Sequence, residues 1–178
     1  MRPLGEALRI FDAGNASAHA SALFEECFRA PFPVPRENCG LPIPTPPEKW
    51  HQYVAIYEWP DGSHETVGFC NWIRYRDVYL EGGMCVRESI YRRMPKEHFR
   101  ACREQGGIAQ MMMATAAAEL NDAAAWFGYC GDAKALAVDL RAGYVPTPHR
   151  HVIVKWFRNL PEAQRDELIA SIAALGPF

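Results

Sequence analysis

Apolar positions along this chain recur with two periods, and the switches between them outline its elements. Residues 7–11 (ALRIF) read as a short first strand. Residues 16–30 read as a helix, because Leu23, Phe24, Cys27 and Phe28 form one stripe at helical spacing and Asn15 or Ser17 can cap its start. Seven prolines then fall between Pro31 and Pro47. Proline lacks an N–H and fixes φ, so this stretch predicts an irregular connector with one helical turn near Arg36–Cys39. It serves either as packing or as a cleft wall.

Three strands follow. Tyr53–Trp59 alternates and stops at the turn signal Pro60-Asp61-Gly62; Thr66–Tyr75 pairs back on it, and Val78–Val86 (VYLEGGMCV) follows the short Arg76-Asp77 link as an antiparallel neighbour. Residues 87–104 predict helix interrupted at Pro95, and 108–120 a helix preceded by Gly106-Gly107. Ala124–Cys130 reads as a buried strand, 132–142 as a helix capped by Asp132 and stopped by Gly143, and His151–Phe157 as a last strand. Asn159-Leu160-Pro161 opens a final helix with Leu168, Ile169, Ile172 and Leu175 on one face. The resulting order is β, α, loop, three antiparallel strands, α, β, α, β, α. The late alternation implies an α/β fold with a partly parallel sheet.

Composition narrows the class. The 178 residues suit a single domain, residues 1–178, and 49% hydrophobic content supplies a core. A formal charge of -2 lacks the basic footprint of a nucleic-acid binder, so nucleic acid is not expected as a partner. Glu6, Arg9 and Asp12 interrupt any leader-like apolar run, and no segment reaches membrane-spanning length, so a cytoplasmic protein without a membrane partner is expected. The six cysteines, at 27, 39, 70, 85, 102 and 130, show no metal-ligand spacing and read as free thiols; no metal is expected.

Chemistry concentrates in two motifs. A helix N-terminus led by glycines exposes unpaired N–H groups that a phosphate can approach, and Gly106-Gly107-Ile108-Ala109 has that form without being a Walker loop. Here the chain resembles the GNAT acyl-CoA N-acyltransferases. The family's pyrophosphate loop, Q/R-x-x-G-x-G/A, is matched by Glu104-x-x-Gly107-x-Ala109 except at its first position. Its second motif, N-x-x-A-x-x-[apolar]-Y-x-x-x-G-F, is kept in register by Asp132-x-x-Ala135-x-x-Val138-Asp139-x-x-x-Gly143-Tyr144. The resemblance covers Tyr53 to Phe157. It implies a mostly antiparallel sheet splayed between the fourth and fifth strands, with helices on both faces.

The resemblance also implies a site. Main-chain amides at Met84, Cys85 and Val86 would take the pantetheine of acetyl-CoA or another acyl-CoA. Glu104 and the amides of Gly106, Gly107, Ile108 and Ala109 would take the pyrophosphate. Glu81 stands where many members place a general base, or is a salt-bridged strand residue. Asp139 replaces the usual tyrosine acid, which leaves Tyr129, Asp139 and Tyr144 as candidates for that role. His149 and His151 flank the last strand. The 87–105 insertion, with Tyr91 in it, is either a substrate contact or a solvated hairpin. The implied acceptor is a small-molecule or protein amine, and a homodimer is compatible with the family. The alternatives are a different acceptor or donor, such as a nucleobase or a long acyl chain, or a non-catalytic CoA-binding module, which the departures at Glu104 and Asp139 motivate.

Overall fold

The computed structural model describes residues 2–36 and 41–178. The helical turn expected near Arg36–Cys39 lies, but for Arg36, outside the described residues. The elements run α1 (Leu4–Ala7), β1 (Leu8–Asp12), α2 (Ser17–Phe28), a 3-10 turn (Pro47–Lys49), β2 (Trp50–Glu58), β3 (His64–Tyr75) and β4 (Val78–Val86). They continue with α3 (Ile90–Arg93), α4 (Lys96–Glu104), α5 (Ile108–Glu119), β5 (Ala125–Tyr129), α6 (Ala133–Arg141), β6 (Val145–Pro146), β7 (Val152–Trp156) and α7 (Glu162–Ala173). The periodic pattern misses only α1, the 3-10 turn and β6, each too short to display a period. Pro95 separates α3 from α4 as expected. Asp132 caps α6, its Oδ1 accepting from the amides of Lys134 and Ala135 at 3.0 and 2.9 Å.

The strand order is β1-β2-β3-β4-β5-β7-β6. β1 runs antiparallel to β2, β5 to β7 and β6 to β7, while β4 and β5 are parallel. The β4–β5 register runs from Val78↔Ala125 to Glu81↔Gly128, and β4 itself continues to Val86. A mixed sheet with a short parallel register at β4–β5 is the α/β arrangement that the sequence predicts.

The chain divides into two compact units. The first comprises residues 1–34, 51–71 and 83–116; the second comprises 35–50, 72–82 and 117–178. In the first, α2 buries Ala20, Leu23 and Phe24 with Val54, Phe69 and Cys85, and Phe24, Phe32 and Phe69 pack edge to face. α5 packs closely on β3 because position 68 is glycine: a Cβ there would lie 2.6 Å from the Met112 sulfur and 3.1 Å from Ala55 Cβ. Met112 and Met113 are buried while Met111 is only partly so.

In the second unit, alternation divides the strands into two faces. Val78, Leu80, Ala125, Phe127, Val152 and Val154 form one core with Ile172, and Leu168, Ile169 and Leu175 of the last helical segment pack against it. The opposite face carries Tyr79, Glu81, Trp126 and Gly128. Trp126 is buried there against Trp72 and Phe157, and its indole N–H donates to the Leu120 carbonyl at 2.8 Å.

Candidate active site

Glu81 is the last residue of β4 in register with β5, and it is 6% exposed. Its partner in the register is Gly128, where a Cβ would sit 3.7 Å from Glu81 Oε2 and 3.1 Å from Ile153 Cγ1. Glycine at 128 therefore leaves room chiefly for the Ile153 side chain, and the Glu81 carboxyl lies at ordinary contact distance beside it. α6 brings the rest of the cluster. It stops at Gly143 (φ +96°), and the Tyr144 amide turns back to donate to the Asp139 carbonyl at 3.1 Å. From that turn the Tyr144 hydroxyl donates to Glu81 Oε2 at 2.5 Å. Asp139, 3% exposed, keeps one carboxyl oxygen, Oδ1, without a hydrogen-bond partner.

Burial dominates the electrostatics. It pushes Glu81 up to about 8, and the charge of Asp139 adds to the rise, while the Tyr144 hydrogen bond and the Lys155 ammonium oppose it. Burial likewise lifts Asp139 to about 6, opposed by the neighbouring Cys130 thiol. Lys155, on β7 over the rings of Trp126 and Phe157 at 5.1 and 5.3 Å, is pulled down by burial and held up by Glu81. Two buried carboxyls that feel one another release their protons in two steps that belong to the pair. Such a pair offers a proton acceptor in the neutral to mildly alkaline range, where amines lose protons.

The structure thus brings Glu81, Asp139 and Tyr144 together. It does not bring Tyr129 to them. Alternation turns Tyr129 to the Phe127 face of β5, where its ring meets Phe178 at 6.2 Å and His151 at 5.6 Å. The acid role considered for Tyr129 is therefore dropped. Cys130 hydrogen-bonds the Asp132 carbonyl at 3.4 Å, and burial pushes its thiol up to about 11, which suits no nucleophile. His151 adopts φ +69° with its Nδ1 3.2 Å from the Cys130 carbonyl oxygen, while His149 is exposed.

The glycine-led helix start lies in the first unit, and three of its four expected donors are engaged within the chain. The Gly106 and Gly107 amides close the end of α4 on the carbonyls of Arg103 and Cys102 at 3.0 and 2.8 Å. The Ile108 amide donates to the Tyr91 hydroxyl at 3.0 Å. Their positive φ values, +82° and +93°, belong to this C-terminal cap, a use of paired glycines that competes with phosphate binding. The Ala109 amide, and that of Gln110 beyond it, have no backbone or side-chain partner among the described residues. Glu104 is exposed on α4, beside Lys96, Phe99, Arg100 and Arg103, which line a surface groove. Met84, Cys85 and Val86 continue β4 beyond Glu81, with Cys85 buried.

No protein-family model and no curated protein matches the chain. Solved structures do. The ribosomal-protein-S18-alanine N-acetyltransferase of Escherichia coli aligns over 87% of this chain and 97% of its own, at 12% identity and a TM-score of 0.45. AtaTR bound with acetyl-CoA aligns over 92% and 98%, at 9% identity and a TM-score of 0.41. The KacTA–DNA complex aligns over 92% and 99%, at 10% identity and a TM-score of 0.40. The chain's own architecture is a mixed α/β sheet with a parallel β4–β5 pair. The expectation that nucleic acid is no partner is withdrawn; the KacTA structure is itself a complex with DNA. Net charge averages over a whole surface and is no ground for that exclusion. Among the described residues, no helix is long and apolar enough to cross a membrane.

Proposed function

We propose that this chain is an acyl-CoA-dependent N-acyltransferase, acetyl-CoA being the donor to test first, in which Glu81 is the general base. The observation that carries the proposal is the buried Glu81 carboxyl, raised to about 8 beside Asp139 and held by Tyr144 on the strand that continues into Met84–Val86. An acceptor amine enters as its ammonium form. Glu81 removes one proton, and the free amine attacks the thioester carbonyl. Main-chain N–H groups of β4 are suited to stabilise the oxyanion. The carbon–sulfur bond then breaks as the carbon–nitrogen bond is kept. The second proton of the attacking nitrogen is lost to solvent or to the departing thiolate.

Asp139 acts on this step through Glu81. While ionised it raises the proton affinity of Glu81, which draws the proton from the amine more strongly. The donor's pyrophosphate has the Ala109 amide, with that of Gln110, at the start of α5, and gains that of Ile108 if Tyr91 gives way. A second reading, a domain that keeps this fold without catalysing transfer, is favoured by the engagement of the Gly106, Gly107 and Ile108 amides.

One assay separates the two. Thiol release from acetyl-CoA is followed against a panel of small amines and peptide N-termini. The acyltransferase reading expects amine-dependent release that falls about 10²- to 10⁴-fold in Glu81→Gln, the usual worth of a general base. Amine-independent release, or full activity in Glu81→Gln, overturns the assignment.

A further inference from the structure

The thiols of a pair of cysteines in the first unit take no part in the mechanism above. Cys27 is exposed on α2, and Cys85 is buried on β4. Three contacts fix how the helix lies on the strand. The rings of Phe24 and Phe28 come within 3.2 and 3.3 Å of where a Gly83 Cβ would stand. The Glu26 carboxylate takes the Arg87 guanidinium at 2.9 Å. Positions 24, 27 and 28 share one helix face, and 83 and 85 share one strand face, with Arg87 just past the end of β4. With Phe24 and Phe28 over Gly83 and Glu26 at Arg87, the side chain between them, Cys27, falls on the one between those, Cys85. Burial, with Cys27 and Glu26 adding to it, holds the Cys85 thiol well above its usual range.

We propose that Cys27 and Cys85 form a thiol pair that low-molecular-weight disulfides convert to an intrachain disulfide. Cys27, the exposed member, is the entry point. Its thiolate attacks the small disulfide RSSR, forming a protein–SR mixed disulfide and releasing one RS⁻, which takes up the Cys27 proton. Cys85 then loses its proton, attacks the Cys27 sulfur and expels the second RS⁻, which becomes RSH. The two cysteines are oxidised by two electrons in all, and one RSSR is reduced to two RSH. The high proton affinity of Cys85 makes the second step the slow one. The new bond ties α2 to the segment of β4 that holds Met84–Val86. Its consequence for donor binding rests on the acyltransferase reading; its formation does not.

The test incubates the folded full-length chain with oxidised glutathione, alkylates the remaining thiols and maps the cysteine peptides by mass. The expected product has lost two hydrogens, contains a linked Cys27–Cys85 peptide, reverts with reductant, and does not form in Cys27→Ser or Cys85→Ser. A glutathione adduct that persists on Cys27, a link to any other cysteine, or no reaction overturns the proposal. Thermal shift with acetyl-CoA reads the consequence. Stabilisation is expected in the reduced chain and in oxidant-treated Cys27→Ser, and is lost in the oxidised chain. Equal stabilisation of the reduced and oxidised chains overturns the coupling. No stabilisation of either, with the linked peptide present, defeats the acyltransferase reading and leaves the thiol pair intact.

Discussion

The Glu81 carboxyl is governed by burial and by three neighbours, Asp139 raising it and Tyr144 and Lys155 lowering it, which makes its titration a residue-level probe of the site. If Glu81 is the base, kcat/KM rises with pH around a midpoint near 8. Asp139→Asn removes the negative charge that raises Glu81, so the midpoint moves to lower pH. Tyr144→Phe removes the hydrogen bond that favours the ionised form, so the midpoint moves higher. A pH–rate profile of the three proteins checks both directions. Stability follows the same proton. The folded-state value lies above the usual 4.5, so the contribution of Glu81 is complete below about 4.5 and is lost as pH rises through about 8. Urea unfolding should therefore show stability falling across that window, and Glu81→Gln should flatten the slope.

Among elements, the inserted α3 has the clearest consequence. Its Tyr91 hydroxyl engages the Ile108 amide at the start of α5. A donor phosphate has to compete with it, so Tyr91→Phe should tighten acetyl-CoA binding about 2- to 10-fold, the worth of one ordinary hydrogen bond. Calorimetric titration of both proteins reads this, and unchanged or weaker binding in the variant contradicts it. The seat of α5 on β3 is checked separately. Gly68→Ala forces a methyl against Met112, Ala55 and Ile108 and should cost about 1–3 kcal/mol, seen as a lower Tm.

The element pattern was legible because hydrophobic period, Pro95, Asp132 and Gly143 are local signals. Glu81 was singled out by its place on the fourth strand, and Asp139 by motif register. The role of Tyr144 as donor to Glu81 was not, since it depends on a contact across 63 positions. Tyr129 shows the reverse: counting alternate positions from buried Phe127 puts it on the face away from Glu81. The engagement of the Gly106-Gly107 amides was illegible because a glycine pair closing one helix looks the same in sequence as a glycine pair opening the next.

On the scale of the whole molecule, a mixed α/β sheet alone leaves the activity open, and the claim that carries the rest is that this chain binds an acyl-CoA donor. The direct measurement is calorimetric titration of the reduced full-length chain with acetyl-CoA, with adenosine titrated in parallel. Saturable one-to-one binding of acetyl-CoA that adenosine does not reproduce is the predicted result. The absence of binding heat, in both the native chain and Tyr91→Phe, would contradict it.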